Sequence, residues 1–311
     1  MSDAKVALGR RLFFEPRLSL TGQYSCASCH DPARAFSDGR RVAVGATGQA
    51  LQHNAMALVN VAYNISFGWM KPQVRSLEAQ MLEPMLNEHP VELGMKGREA
   101  AVSAGLAADR SYGHDFAAAF PGEAAPVSFG NLVKAIAAFE RTLISGDSPF
   151  DRYVFGGEHQ ALTPEAKRGM ALFFSRRAGC AGCHSGFNFS GNWRDTQGAT
   201  GRASFAANGT STSRMRVPTL RNVALTAPYM HDGRFATLDE VLGHYSAVGA
   251  RVAATAAGSP RARRYDARLP RTAFSAAERA ELERFLESLT DESFVARFAA
   301  GAAPAAAAAR E

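Results

Sequence analysis

The run Cys26-Ala27-Ser28-Cys29-His30 decides how this chain is read, and Cys180-Ala181-Gly182-Cys183-His184 repeats it. In C-x-x-C-H, two thiols are spaced to add across the two vinyl groups of a haem, while the adjoining imidazole swings under the ring to bind iron from one side. Each run therefore predicts a covalently held c-type haem, with His30 or His184 as proximal ligand. Paired C-x-x-C is also a zinc pattern. Zinc ribbons, however, bring their pairs within roughly 15–20 residues and need no histidine directly after each. Here the pairs lie in opposite halves of the chain, each with its own histidine.

Outward from the motifs, the repeat is larger than five residues. Gly9-Arg10-Arg11-Leu12-Phe13-Phe14 precedes the first motif, and Gly169-Met170-Ala171-Leu172-Phe173-Phe174 precedes the second. Each lies in a segment of helical period, Lys5 to Phe14 and Lys167 to Phe174, so the chain is an internal duplication at domain scale. Thr163 and Pro164 supply the start signal of the second copy. An apolar helix is expected from Leu132 to Leu143, followed by a Ser/Gly/Pro linker. The boundary is placed there, giving domains 1–145 and 146–311.

A chain of 311 residues can bury two cores, and its composition, 46% hydrophobic and 21% charged, is globular. No apolar run approaches the roughly 20 residues of a membrane span, so no membrane insertion is expected. The two motifs use all four cysteines, leaving no disulfide framework. Covalent haem attachment in bacteria takes place outside the cytoplasm, yet Met1-Ser2-Asp3 opens no charged and apolar leader. A mature or trimmed form, its export signal not in this sequence, is the expectation. The net charge of +6 omits the haem propionates, which arginines would neutralise. Arg251, Arg261, Arg263, Arg264, Arg268 and Arg271 form a basic stretch that reads as a solvated loop or as a steering surface for an acidic partner; nucleic acid is not an expected partner.

Between the first motif and the linker, Asp31 to Gln52 reads as loop. Arg75 to Leu82 is helical in pattern, and Pro84 is expected to end or kink that helix. Asn87 to Gly94 must then be irregular, the kind of helix-flanked loop where catalytic groups sit. Past the second motif, Asn188 to Thr212 is polar loop, Thr237 and Glu240 form a capping box, and Ser275 with Glu278 opens a last helix. The Ala-rich end after Gly301 is expected to fray. Strand patterns are scarce, so the fold class is mainly α: two cytochrome c-like domains, each with one covalently bound c-type haem.

A strong sixth ligand makes a haem an electron carrier, whereas an open position lets it react with peroxide or oxygen. Near the second haem the candidates are Tyr245, His244, Met230 and His231. Leu238, Val241, Leu242 and Tyr245 share one helical face, so Tyr245 is aimed wherever that face looks, at haem or at core. His53 is a candidate for reaching the first haem or a propionate. Glu92 suits the proton transfer that O–O cleavage requires, or is simply solvated. Trp69, one of two tryptophans with Trp193, reads as an electron relay or as a large core residue.

With Leu8-Gly9-Arg10-Arg11-Leu12-Phe13-Phe14, both haem motifs, Asn60-Val61-Ala62-Tyr63-Asn64, and Val217-Pro218-Thr219-Leu220-Arg221-Asn222-Val223 running into Thr226-Ala227-Pro228-Tyr229-Met230-His231-Asp232-Gly233, the chain resembles the bacterial dihaem cytochrome c peroxidase and MauG superfamily. The resemblance implies roles. Trp69 falls at the inter-haem tryptophan, Gln80 and Glu92 at the distal glutamine and catalytic glutamate, and Pro84 at the distal-pocket proline. Asn54, Thr226 and Pro228 match positions that hold one calcium ion between the domains. The first domain would carry the peroxide-reactive haem and the second the electron-transfer haem. Ala46 stands where the peroxidase branch has a blocking histidine, so that haem should be open. Tyr245 stands where that branch has methionine, as in MauG.

Asn54-Ala55-Met56-Ala57-Leu58-Val59-Asn60-Val61-Ala62-Tyr63-Asn64 and Glu88-His89-Pro90-Val91-Glu92-Leu93-Gly94 are most similar to the methanobactin-associated dihaem enzymes called MbnH. The implied function is a periplasmic, hydrogen peroxide-dependent oxidase that reaches a high-valent dihaem state and oxidises a residue, tryptophan, on a partner such as an MbnP-like periplasmic protein. The alternatives are a dihaem peroxidase drawing electrons from a small cytochrome or cupredoxin, and a dihaem electron carrier without enzymatic activity.

Overall fold

The computed structural model describes residues 1–191, 202–204, 214–254 and 273–299. The chain forms two compact units: Met1–Asn64, Val74–Ile144 and Val295–Glu311 make the first, Ile65–Gln73 and Ser145–Phe294 the second. A single cut after residue 145 therefore differs from the observed division in two segments. The stretch 65–73, which carries Trp69, belongs with the second unit, and the chain from 295 onward returns to the first.

The first unit is built on α1 (Asp3–Phe13), α2 (Leu77–Leu86), α3 (Glu99–Ala108), α4 (Arg110–Ala119) and α5 (Phe129–Glu140). Ser2, Ser76, Asp109 and Ser128 cap α1, α2, α4 and α5, each accepting from a backbone N–H that the first turn leaves unbonded. The helix expected from Leu132 starts three residues earlier and stops at Glu140. In α2 Pro84 does not end the helix, which runs to Leu86. The loop beyond satisfies the last carbonyls of the helix: Leu93 N–H donates to the Pro84 carbonyl at 2.9 Å and Met95 N–H to that of Met85 at 2.7 Å. Helices α3 and α4 lie in a stretch to which the sequence reading assigned no element.

The second unit holds α6 (Pro149–Val154), α7 (Pro164–Phe173), α8 (Leu238–Ala253), α9 (Ala276–Glu287), the start of α10 (Glu292–Ala299) and a two-stranded antiparallel pair, β1 (Arg202–Ser204) with β2 (Arg214–Arg216). The expected caps are in place, Thr163 accepting from Ala166 N–H and Ser275 exchanging bonds with Glu278. Helix α9 is not the last one, since α10 follows it. Trp193, most of the 188–212 loop, the chain after Gly301 and the basic stretch except Arg251 lie outside the described residues.

The duplication is also one of packing. In the first unit α1 crosses α5, and a Cβ on Gly9 would collide with the Ala135 carbonyl oxygen; in the second α7 crosses α9, and a Cβ on Gly169 would collide with that of Glu281. Glycine is needed at both crossings because the two backbones touch. Above each crossing two phenylalanines meet, Phe13 with Phe139 at 5.3 Å and Phe173 with Phe285 at 5.0 Å. Asn60 and Asn222 both adopt left-handed backbone, φ 57° and 58°, and each donates its N–H to a leucine carbonyl beyond the crossing helix, Leu143 or Leu289.

Candidate haem sites

In the first unit a 3-10 turn, Cys26–Ser28, curls the motif. The Cys26 carbonyl accepts from Cys29 N–H at 3.2 Å and His30 N–H at 3.0 Å, which turns both thiols and the imidazole around one point. His30 Nδ1 lies 2.9 Å from the Phe36 carbonyl. A carbonyl only accepts, so Nδ1 carries the proton and Nε2 is the lone-pair nitrogen, the arrangement that ligates a metal. Ala35 and Phe36, both left-handed at φ 51° and 61°, aim that carbonyl. Burial lowers the His30 pKa, which keeps the ring neutral; a backbone hydrogen bond at Met56 also acts on it.

The second motif repeats this geometry. Cys180–Gly182 forms the 3-10 turn, the Cys180 carbonyl accepts from Cys183 and His184 N–H, and His184 Nδ1 meets the Phe189 carbonyl at 2.8 Å. Burial lowers the His184 pKa as well. None of the four cysteines is in a disulfide, and burial pushes Cys26 up and Cys29 and Cys180 up to about 12. Among the described residues no three His, Cys, Asp or Glu side chains converge to hold a bare metal ion. The residues fit a thioether-linked haem in each unit and do not fit a zinc site.

Around the first motif the loops converge. The Glu92 carboxylate acts electrostatically on Cys29, so the irregular 87–94 segment brings this glutamate to the haem side of the unit. Ala46 N–H donates to the Glu92 carbonyl at 2.6 Å, and a Cβ on Gly45 would strike the Val91 carbonyl. Ala46 thus sits directly against the Glu92 loop, 4% exposed. Gln80 and Pro84 lie four residues apart on α2, on one face of that helix. His53 contributes its carbonyl to Ala43 N–H.

Around the second motif, Tyr245 on α8 interacts electrostatically with Cys183 and Cys180, and burial pushes its phenol up. Leu238 and Leu242 on the same face are buried in the core, so the stripe ends with Tyr245 at the haem motif. His244 faces Phe235 at 5.2 Å. Trp69 meets His231 edge to face, ring centroids 6.4 Å apart, and its carbonyl accepts from Arg216 N–H at 2.9 Å. Of the expected calcium ligands, Asn54 is in the first unit, donating from Nδ2 to the Arg40 carbonyl at 2.8 Å, and Thr226 and Pro228 are in the second.

Charged groups close to the two motifs went unread in the sequence, among them buried Arg221 and half-buried Asp38. Arg221, 1% exposed, pairs with Asp151 and donates from Nε to the Phe187 carbonyl at 2.8 Å, just behind the loop that holds His184. A charge inside the otherwise uncharged run from Val217 to Val223 was the available signal. Asp38 acts on both His30 and Cys29, and burial raises its carboxyl pKa.

Repeated helix crossings and two turns that each bring two thiols and a half-buried imidazole together give a mainly helical chain of two units with the attachment residues of a c-type cytochrome. The chain belongs to the dihaem cytochrome c peroxidase and MauG family: the family model described as di-haem cytochrome c peroxidase matches residues 3–160. It is 38% identical over 252 residues to methylamine utilization protein MauG of Methylorubrum extorquens, covering 79% of this chain and 69% of that protein. It is 36% identical over 248 residues to cytochrome c peroxidase Ccp of Escherichia coli, covering 76% of this chain and 51% of that one.

Among solved structures, a MauG-like protein associated with microbial copper homeostasis matches with a TM-score of 0.81 at 36% identity, covering 98% of this chain and 93% of that one. The likeness supports placement nearest the methanobactin-associated branch. The dihaem peroxidase BthA of Burkholderia thailandensis shares the fold, with a TM-score of 0.71 at 24% identity over 94% of this chain and 87% of that one. The family consists of peroxide-dependent oxidoreductases and implies two c-type haems in this chain.

Proposed function

We propose that this chain is a periplasmic oxidase that uses hydrogen peroxide to oxidise a tryptophan on a partner protein, an MbnP-like protein by the branch resemblance. The observation that carries this reading is Tyr245 beside Cys180 and Cys183. When bound, each haem supplies an iron that exchanges single electrons and, where a coordination position is open, reacts with peroxide. His30 and His184 would hold the two irons and Tyr245 would be the sixth ligand of the second. A phenolate is a hard, anionic donor that favours the more oxidised metal, where a thioether would favour the reduced one. A cation at the phenol oxygen would offset the burial that otherwise keeps Tyr245 protonated.

Glu92 would take the proton from one peroxide oxygen and return it to the other, and Gln80 would orient the peroxide by hydrogen bonding. Ala46 leaves that side free of an imidazole. Each peroxide accepts two electrons and two protons and leaves as two waters, the electrons coming from the partner's indole. Trp69 is the oxidisable side chain in this chain's path to that partner. Asn54, Thr226 and Pro228 would hold one calcium ion through oxygen atoms. No helix among the described residues is long and apolar enough to cross a membrane.

The deciding experiment is a stoichiometric peroxide titration of the oxidised holoprotein, followed by near-infrared absorption and Mössbauer spectroscopy, with Tyr245→Phe and Tyr245→Met beside it. The parent protein should react without prior reduction and store two oxidising equivalents, and the methionine variant should not. Inertness until half-reduced, then turnover with a small cytochrome or cupredoxin, would instead establish the peroxidase reading, which the identity to Escherichia coli Ccp favours.

A further inference from the structure

The two long crossing helices share a register fixed by three contacts, and at one buried position of that register a leucine in one unit is a carboxyl in the other. Ala135 in α5 corresponds to Glu281 in α9, since each carbonyl oxygen faces the crossing glycine. Phe139 corresponds to Phe285, each meeting the phenylalanine of the opposing helix at a steep ring angle, and Leu143 to Leu289, each accepting from an asparagine N–H. By this register Glu140 occupies the place of Leu286. Leu286 is a core leucine, 6% exposed. Glu140 is a carboxyl buried as deeply, 5% exposed, and its Oε2 has no hydrogen-bond partner.

A carboxyl in a leucine's place costs stability unless something offsets it, because burial disfavours the charged form. The neighbours offset it only in part: Arg141 pulls against the burial, and α10, whose Phe298 meets Phe139, brings Arg297 no nearer than the Ile144 carbonyl to which it donates. Arg141, next on the helix, is committed to Glu78 of α2 at 2.8 Å. Helix α1 presents uncharged Gly9 and Phe13 to α5, and the only charge on α3 is Glu99 at its first residue. The carboxyl is close enough to Cys26 to act on its thiol electrostatically. Burial pushes Glu140 up to about 8, against the pull of Arg141, which outweighs the smaller push from Glu78. Once Cys26 is a thioether it has no proton, so Glu140 is the titrating group on the Cys26 side of the motif, as Asp38 and Glu92 are on the Cys29 side.

Resting on the assignment of a haem to Cys26, Cys29 and His30, we propose that Glu140 is a redox-linked proton site: it takes up one proton from solvent when that haem gains one electron and releases it when the electron leaves. Removing a positive charge from the iron favours the neutralised environment, and the adjacent carboxylate is the group that a proton can neutralise. Glu140 thereby acts through the haem as a positioning residue for charge, and the second unit, with Leu286, lacks the device.

The test is spectroelectrochemistry of the full-length holoprotein with one-electron mediators between about pH 6 and 9, comparing the parent with Glu140→Gln and Glu140→Leu. The leucine is the residue that the other unit already packs at this place, so the variant keeps the crossing. In the parent the reduced-to-oxidised ratio of the first haem should change up to tenfold per pH unit, about 59 mV. Both variants should flatten that slope, while the second haem, distinguished by its ferric electron paramagnetic resonance signal, titrates alike in all three proteins. The redox-difference infrared spectrum of the parent should contain a carboxylic acid C=O band that Glu140→Gln lacks. Two attached haems with the same slope in all three proteins would overturn the proton site alone. Absence of covalently attached haem from the parent would overturn the haem assignment and the proton site together.

Discussion

Among the described residues Arg221 is the largest side chain that the fold encloses, and its partner Asp151 is 5% exposed. Neither charge has solvent to fall back on, so losing one strands the other. Asp151→Ala should lower stability by about 3–5 kcal/mol in chemical denaturation, and the double change Arg221→Met with Asp151→Leu should recover much of it. A recovery no better than the single variant would show that the pair does more than neutralise itself, its bonds to the Phe187 carbonyl and to Ser148 being the residual. Glu92 belongs to the same scale. If it moves the proton in peroxide cleavage, Glu92→Gln should slow the reaction of the oxidised holoprotein with peroxide about 10²–10⁴-fold, read by stopped flow, with both haems still attached.

Helices α7 and α9 cross with backbones in contact, and no rotamer change can relieve a clash between a Cβ and a carbonyl. Gly169→Ala should therefore cost at least about 1–3 kcal/mol and separate Phe173 from Phe285, seen as a lower thermal midpoint. The start of α9 adds a pH term. Arg177 and the Ser275 backbone hold the Glu278 carboxyl down to about 2, against an ordinary 4.5. A carboxyl whose folded pKa is depressed stabilises above its unfolded value, and that contribution is lost as pH falls from about 4.5 through about 2. Glu278→Gln should flatten the acid limb of the stability curve in this window and leave it unchanged at pH 7 apart from a constant offset. An acid limb of unchanged slope would assign the loss to other carboxylates.

Across the whole chain, the linker after α5 is fastened by one residue far away in sequence. Asp291 Oδ2 accepts from Ser145 Oγ at 3.1 Å and from Gly146 and Asp147 N–H at 3.0 Å, while Asp291 N–H donates to Asn222 Oδ1 at 2.7 Å. Asp291 also caps α10 through Phe294 N–H. Replacing it by alanine leaves several buried donors unmet at about 1–3 kcal/mol each. Amide exchange at Gly146 and Asp147 should then accelerate by about tenfold or more, with Asp291→Asn intermediate. The same residue holds together the two ends, Ser145 and Phe294, of the long segment of the second unit.

The sequence alone determined whatever depends on neighbours in the chain. Cys26, Cys29 and His30 form their turn through bonds among themselves, Thr163 and Ser275 cap the helices they precede, and the repeated Gly-x-x-Leu-Phe-Phe pattern announced two copies before either core was seen. Only the tertiary structure decided matters set by distant segments. Helix α2 continues past Pro84 to an end whose carbonyls accept from the 93–95 backbone, the segment with Trp69 joins the second unit, and Glu140, inside what reads as an apolar helix, is buried beside the first motif. Spacing records which residues can share a face; burial depends on which other part of the chain covers that face, and a carboxyl changes character only once water has been excluded from it.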